Sequence, residues 1–99
     1  MAECEHCRMK AVPRDEALKK RLESRMNRIV GQMNGMMTMI GEDRYCGDVL
    51  IQLAAVEKAL QSVGYLILSD HMNSCVAQQV RDGEPQAMDE LLDLVKKLK

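Results

Sequence analysis

Two side chains that bind soft metal ions, His71 and Cys75, lie four residues apart in a segment of helical composition. At this spacing both side chains leave the same face of an α-helix, one turn apart. An imidazole nitrogen and a thiolate sulfur placed in this way can chelate one metal ion. Because His and Cys also occur in helices for packing reasons alone, the pair needs a third ligand before it predicts a site.

A third candidate ligand, Cys46, lies 29 residues before Cys75. On one continuous helix, at about 1.5 Å per residue, the two residues would be about 43 Å apart, so they cannot share a metal ion within one chain. If two copies of this helix pack antiparallel, the start of one lies beside the end of the other. The spacing therefore predicts a site shared between subunits, with Cys46 from one subunit and His71 and Cys75 from its partner.

The types of these three donors indicate the metal. Thiolates select Cu(I), zinc or iron–sulfur centres, and two thiolates with one imidazole form a soft, three-coordinate set. A structural zinc site usually has four ligands, and no obvious fourth donor accompanies these three. Ni(II) prefers more nitrogen or oxygen ligands in a square-planar arrangement. Trigonal Cu(I) fits the donor set best, and zinc and nickel remain alternatives.

A second group of thiols lies near the N-terminus, in the motif Cys4-Glu5-His6-Cys7. Such thiols in a reducing compartment bind metal or act in redox chemistry more often than they form disulfides. No strand–helix pattern follows that would support a thioredoxin-like site. Cys4, His6 and Cys7 are therefore a candidate accessory site for Cu(I) or zinc, and the alternative is a disordered terminus with incidental thiols.

Basic charge is concentrated in the first third of the chain, although the net charge is −1. Residues 8–28 hold eight Lys or Arg against three acidic residues, and residues 29–99 hold six against ten. One helical stripe of this segment, here called the arginine stripe, consists of Arg21, Arg25, Arg28 and Gln32. Arginine can contact DNA phosphates and glutamine can contact base edges. The alternative is a solvated polar flank.

The elements that position these residues are predicted to be three helices, in an all-α fold. Residues 1–13 are expected to form a flexible arm, and residues 14–99 a single domain. Helices are expected from about Arg14–Asp15 to residue 40, from Cys46 to Val80 and from Ala87 to Leu98. Asp43 is a candidate N-cap of the second helix, and Gly83 and Pro85 separate the second and third. Gly31 and Gly35 are expected at places of close helix approach.

Apolar residues alternate at spacings of four and three along the two long helices, which is a heptad pattern. The two predicted seams are Leu22, Met26, Ile29, Met33, Met36 and Ile40, and Val49, Leu53, Val56, Leu60, Val63 and Ile67. Further apolar residues widen the stripe on the second helix beyond the needs of one partner. A chain of 99 residues cannot cover this face alone. The pattern predicts an obligate oligomer, most simply a dimer that forms an antiparallel four-helix bundle.

Several classes of protein are excluded by what the sequence lacks. No run approaches the ~20 apolar residues of a membrane span, and the N-terminus lacks the apolar core of a signal peptide. We expect a soluble cytoplasmic protein without a membrane partner. An enzyme is not expected, because there is no Gly-rich phosphate loop and no nucleophile–base–acid set. No helix-turn-helix, zinc finger or aromatic RNA-binding signature is present, so any DNA contact would use a broad bundle surface.

Roughly four-fifths of the chain, from about Arg21 to the C-terminus, resembles the copper-sensing operon repressor (CsoR) family. This family also includes sensors of nickel or cobalt, formaldehyde and persulfide. The segments that carry the resemblance are RIVGQ (28–32), DRYC (43–46), QLAAVEKAL (52–60) and HMNSC (71–75).

The resemblance implies three helices per subunit, an antiparallel dimer and a flat tetramer built as a dimer of dimers. It further implies that the metal-free tetramer binds operator DNA and that ligand binding releases it. The ligands of the copper branch match Cys46, His71 and Cys75, and the residues that orient its histidine match Tyr45 and Glu90. A copper chaperone is a further candidate partner.

The other branches match less well. The persulfide branch lacks the histidine that His71 provides, and formaldehyde sensors lack the complete copper triad. The nickel and cobalt branches recruit an additional N-terminal histidine, where this chain has Arg14. In one departure from the family pattern, Asn34 stands where a basic residue is common, which weakens one expected DNA contact.

These observations together predict a copper(I)-responsive repressor that releases DNA when Cu(I) binds and so derepresses copper-resistance genes. One alternative is a sensor of thiol oxidation, persulfide, nickel or zinc on the same fold. The other is a structural helical bundle with incidental thiols, which would not bind metal tightly.

Overall fold

The computed structural model describes residues 12–98, and all regular structure in that range is helical. The elements are α1 (Glu16–Gly41), α2 (Cys46–His71), a π-helical turn (Met72–Val76), α3 (Ala77–Arg81) and α4 (Ala87–Leu98). Since α2, the π turn and α3 follow one another without a break, they form one long helix, which we call the rod. The prediction of an all-α chain with two long helices and one short helix is confirmed.

Helices α1 and α2 pack as an antiparallel hairpin because a short turn, residues 42–45, reverses the chain between them. The core between them consists of Leu22, Ile29, Val56 and Val63, with Leu18, Met36, Ala59 and Leu66 partly buried around it. The molecule measures 55 × 27 × 22 Å. Among residues 12–98, no helix is long and apolar enough to cross a membrane.

The predicted heptad seams are divided between two environments. One position of each heptad is buried or partly buried inside the hairpin, at Leu22, Ile29 and Met36 on α1 and at Val56 and Val63 on α2. The other position is between 40% and 60% exposed, at Met26, Met33, Ile40, Leu53, Leu60 and Ile67. We call this second set the exposed apolar rows. Half of each seam therefore stays exposed on the surface of the described hairpin.

The turn between α1 and α2 is built differently from the prediction, in which Asp43 capped α2. The N-cap of α2 is Tyr45, and Asp43 instead ends α1 in the left-handed conformation, with a φ of 54°. The Arg44 N–H donates to the Met39 carbonyl at 2.9 Å and the Asp43 N–H to the Ile40 carbonyl at 3.1 Å. These bonds form a Schellman motif, whose left-handed residue usually is Gly. The prediction was wrong because Asp43 is part of the motif that ends α1 and does not cap α2.

The rod ends with the same motif, here with glycine in the left-handed position. Gly83 has a φ of 75°, and the Glu84 N–H donates to the Gln79 carbonyl at 2.9 Å. The predicted role of Gly83 as a helix terminator is confirmed. By contrast, a Cβ at Gly31 or Gly35 would meet no described atom within 4 Å, so neither glycine is a place of close approach within the chain.

The π turn lies within the rod, near its C-terminal end. The Ser74 hydroxyl donates to the Asp70 carbonyl at 2.6 Å, a type of bond that bends helices. Cys75 and Val76 are buried in this turn, and Ala87 and Leu91 are buried on α4, which contacts it. No pattern in the sequence predicted this turn. Single π turns within α-helices occur often at functional sites.

The Schellman motif of α1 makes a prediction about stability. A non-glycine residue in the left-handed region costs about 1–2 kcal/mol, less for Asp than for most residues. We therefore expect Asp43→Gly to raise the free energy of unfolding by about 0.5–1 kcal/mol, and Gly83→Ala to lower it by about 1 kcal/mol. Urea denaturation followed by circular dichroism measures both. A loss of stability in Asp43→Gly would show that the Asp43 side chain stabilises the turn.

Candidate metal centre and basic groove

Cys46 is the first residue of α2 and its thiol is exposed. The ring of the preceding residue, Tyr45, lies against Gly47, so close that a Cβ at position 47 would overlap its Cε2 atom. Glycine at position 47 therefore allows the tyrosine ring to fold over the first turn of α2. Tyr45 and Cys46 therefore both lie at this end of the rod.

His71 and Cys75 lie at the other end of the rod, with different surroundings. The partly buried His71 lines an apolar cavity of about 310 Å³ between α2 and α4, together with Arg14, Gly64, Ile67, Leu68, Leu94 and Leu98. Cys75 is only 3% exposed, and the Ser74 hydroxyl lies 3.7 Å from its sulfur. The two residues share one end of the rod, but Cys75 is not among the residues that line the cavity around His71.

The structure of one chain does not bring the three predicted ligands together. In the described part of the chain, no group of three or more His, Cys, Asp or Glu residues is placed to hold a metal ion. The helix between Cys46 and His71 is continuous over all of its 26 residues, a length of about 39 Å. The site shared between subunits therefore stays a prediction, and Cys46, His71 and Cys75 of one chain cannot together hold one metal ion in this conformation.

The two residues expected to orient His71 also lie apart. Tyr45 is at the Cys46 end of the rod, whereas Glu90 lies exposed in the first turn of α4, the helix that packs on the π turn. An acidic residue in the first turn interacts favourably with the helix dipole, so Glu90 also stabilises α4. The motif Cys4-Glu5-His6-Cys7 lies outside the described residues.

The arginine stripe lies beside α2 and forms a groove with it. Arg25 donates a hydrogen bond from Nη1 to the Ser62 hydroxyl at 3.0 Å. Two depressions meet at this pair. One, of about 310 Å³, is lined by Arg25, Arg28, Ile29, Gln32, Ala59 and Ser62. The other, of about 410 Å³, is lined by Arg21, Arg25, Lys58, Gln61, Ser62, Tyr65 and Leu66. We call the two together the basic groove. No acidic residue is among those that line it.

One member of the stripe is less accessible than expected. The amide oxygen of Gln32 is buried and has no hydrogen-bond partner among the described residues. Bidentate recognition of adenine uses both the oxygen and the nitrogen of an amide. The proposed contact of Gln32 with a base edge therefore requires its side chain to turn outward, and this contact stays a prediction.

Sequence reasoning missed the contribution of α2 to the groove. Lys58, Ser62 and Tyr65 follow one another at spacings of four and three residues, which is the signal of one polar helical stripe. It was obscured by the apolar seams on the same helix. Arg14, which lines the cavity beside His71, was noted in the sequence only as the residue at the position of the N-terminal histidine of the nickel and cobalt branches. Helical spacing could not place it beside His71, because it precedes the first residue of α1.

The basic groove and the exposed apolar rows lie on opposite flanks of the hairpin. At about 100° per residue, Met26, Met33 and Ile40 on α1 are rotated from the buried Ile29 by about 20–60° in one direction. The arginine stripe is rotated by about 40–100° in the other. On α2, the exposed Leu60 and Ile67 likewise lie on the other side of the buried Val63 from Ser62, which lines the groove. One flank is thus apolar and the other basic.

Comparison with known proteins identifies the family to which this chain belongs. The family of metal-sensitive transcriptional repressors matches residues 18–97. The chain belongs to this family. Its members are regulators of transcription, so the expectation that the chain is not an enzyme is confirmed by its family. The resemblance drawn from the sequence is likewise confirmed, and the chain is a metal-sensing repressor whose partner is operator DNA.

Individual relatives agree with this assignment. The copper-sensing transcriptional repressor CsoR of Bacillus subtilis (strain 168) is 42% identical over 80 residues, which cover 80% of this chain and 79% of that protein. The structure of the copper-sensing repressor CsoR with Cu(I) from Geobacillus thermodenitrificans NG80-2 matches with a TM-score of 0.83 and 37% identity, over 89% of this chain and 93% of that chain. The nickel-responsive transcriptional regulator InrS matches with a TM-score of 0.71 and 37% identity, over 90% of this chain and 99% of that chain.

The contact between α2 and α4 beside His71 gives a second prediction. A Cβ at Gly64 would lie 2.5 Å from the Leu98 Cδ1 atom, whereas a Cβ at Gly31 would meet nothing. Replacing a helical Gly by Ala normally stabilises by about 1 kcal/mol. We expect this gain from Gly31→Ala. Gly64→Ala should show little or no gain and faster amide hydrogen exchange in α4, because Leu98 must move. Equal gains with unchanged exchange would contradict the proposed contact.

Proposed function

We propose that the protein is a copper(I)-responsive transcriptional repressor whose metal site is shared between two subunits. The observation that carries the proposal is the placement of Cys46 and of His71 with Cys75 at opposite ends of one uninterrupted helix. This placement suits a site made by two antiparallel rods. The copper-sensing names of the relatives support the choice of metal.

The exposed apolar rows support the dimer. Six large apolar side chains at heptad spacing, between 40% and 60% exposed, cover one flank of the hairpin. A row with this period matches a second copy of itself in a four-helix bundle. With two hairpins packed through these rows and their α2 helices antiparallel, Cys46 of one subunit approaches His71 and Cys75 of the partner subunit. We propose that two such dimers form the tetramer.

The donor set fits Cu(I) as the effector. Two thiolates and one imidazole match the preference of Cu(I) for soft ligands and low coordination number. Nickel is the alternative favoured by a specific observation, since the nickel-responsive regulator InrS shares the fold at 37% identity. One observation argues against nickel. The polar side chain that lines the cavity beside His71 is that of Arg14, and its guanidinium has no acceptor atom with which to bind a metal ion.

The buried state of Cys75 indicates how metal binding could act on the rest of the molecule. Cys75 is 3% exposed, so its thiolate can coordinate beside His71 only if the packing around the π turn, which α4 contacts, changes. We propose that Tyr45 and Glu90 hydrogen-bond to the coordinated His71 across the dimer and hold α4 in the shifted position. Metal and DNA then oppose each other through one coupling free energy.

The arginine stripe is the proposed DNA-binding surface in the metal-free state. Arg21 and Arg28 are exposed and Arg25 is partly buried, all on the flank opposite the exposed apolar rows, so dimerisation leaves them open. Their contacts with phosphates should make DNA affinity fall steeply with salt. Because the target is chromosomal DNA, we place the protein in the cytoplasm. Cys4, His6 and Cys7 are proposed as an accessory metal site, and a copper chaperone as the metal donor.

The shared site can be tested by mixing two defective subunits. Neither Cys46→Ala nor His71→Ala alone should bind Cu(I) at a complete three-ligand site. After the two variants are unfolded together and refolded, about half of the dimers are mixed, and each mixed dimer holds one complete site. A competition titration with a chromogenic Cu(I) chelator should therefore recover about a quarter of the tight sites. No recovery would place the ligands within one chain.

The coupling between metal and DNA can be tested with a duplex selected from a random-sequence pool by the metal-free protein. Fluorescence anisotropy should show tight binding without metal and at least a tenfold loss of affinity with one Cu(I) per site, a coupling of about 1.4 kcal/mol. His71→Ala should still bind Cu(I) through its thiolates but show much less release. Full release by His71→Ala would contradict the proposed coupling, and release by Ni(II) alone would favour the nickel sensor.

A further inference from the structure

Helix α2 contributes four polar side chains to the basic groove, none of which belongs to the arginine stripe. They are Lys58, Gln61, Ser62 and Tyr65, and they line the same depression as Arg21 and Arg25. The groove therefore has a polar wall on each side, one from α1 and one from α2. The contacts within it indicate what each wall can bind.

We propose that Lys58 binds a phosphate of the DNA backbone beside Arg21 and Arg25, and that Ser62 is the residue that positions Arg25 for this contact. The proposal rests on the proposed DNA-binding function and adds a second helix to its surface. It assigns the groove between α1 and α2, rather than the exposed side of α1 alone, as the place where one DNA strand lies.

The position of Arg25 is fixed by α2. Its Nη1 donates to the Ser62 hydroxyl at 3.0 Å across the two helices. A guanidinium carries five N–H donors, so the others remain able to bind phosphate oxygens. Holding a long side chain in place before binding reduces the conformational entropy that is lost on binding. Ser62 therefore orients the arginine without removing its capacity to bind an anion.

The charge of Lys58 is exposed and is not neutralised by a neighbour. Among the described residues, neither Lys58 nor Arg21 takes part in an ion pair. The nearest acidic residue in sequence, Glu57, lines a separate depression with Lys58 and Gln61, and it is not part of the basic groove. Uncompensated cations on two walls of one groove attract a polyanion, and a phosphate chain between them can be approached from both sides.

The hydroxyl of Tyr65 adds a neutral donor to the same wall. Gln61 donates from Nε2 to the Tyr65 hydroxyl oxygen at 3.3 Å. The oxygen thus acts as an acceptor, and the hydroxyl proton remains available to donate to a phosphate oxygen. Tyrosine hydroxyls are among the groups that contact phosphates in protein–DNA interfaces. The wall from α2 therefore offers an ammonium and a hydroxyl donor beside the orienting Ser62.

The test is the salt dependence of DNA binding by Lys58→Gln, with Lys97→Gln on α4 as a control of equal charge change. The probes are the selected duplex and an unrelated duplex of mixed sequence. Because the substitution is present in every subunit, each subunit on the DNA loses one phosphate contact. Each lost contact should reduce the slope of log affinity against log salt by about 0.9 and weaken binding by about eightfold at 0.1 M salt. Both duplexes should lose affinity alike, because phosphates carry no sequence information. An unchanged slope in Lys58→Gln, or the same reduction in Lys97→Gln, would overturn the proposal.

The role of Ser62 is tested by Ser62→Ala and Ser62→Thr. Removal of one hydrogen bond should weaken DNA binding by roughly three- to tenfold with no change in the salt slope, since no charge is lost. Threonine keeps the hydroxyl and should restore most of the affinity. Unchanged affinity in Ser62→Ala would remove the positioning role. Cu(I) affinity should be equal in all of these variants, which shows that the fold and the metal site are intact.

Failure of this proposal can be distinguished from failure of the repressor function. If the unmodified protein binds the selected duplex and Cu(I) releases it while Lys58→Gln and Ser62→Ala behave like the unmodified protein, only the groove proposal is overturned. If the unmodified, metal-free protein binds neither duplex at low salt, both proposals are overturned.

Discussion

The rigid separation between the two ends of the rod is the constraint on which the other features depend. An uninterrupted helix keeps Cys46 far from His71 and Cys75, since a helix cannot shorten without breaking its hydrogen bonds. Soft ligands held this far apart need a second chain to complete a site. The division of the heptad seams supplies the surface for that chain. In the proposed dimer, metal chemistry and assembly therefore have one common cause.

The sequence was informative about the elements and less informative about their faces. Heptad spacing predicted α1 and α2 because side-chain periodicity directly reflects helix geometry. It did not show that Ile29 is buried inside the hairpin while Met33 is exposed, because both positions are equally apolar. Asp43 was misassigned since Asp suits both a helix N-cap and a left-handed turn, and only the path of the chain decides between them.

The candidate site was predictable in its donors and not in its surroundings. Cys46, His71 and Cys75 are chemically distinctive residues, so their types and spacing carry information without coordinates. The π turn around Cys75 and the bond from Arg25 to Ser62 depend on packing between helices, for which a single sequence has no local signal. The opposite flanks of the hairpin also became visible only when α1 and α2 could be viewed together.

The division of the heptad seams also bears on the alignment of two subunits. A seven-residue repeat allows a partner to slide by one heptad, about 10.5 Å, and still place apolar side chains against apolar side chains. Such a displaced dimer would carry Cys46 away from the His71 and Cys75 of the partner subunit. In the proposed assembly, a bound metal ion therefore selects one register among several that hydrophobic contact alone would tolerate.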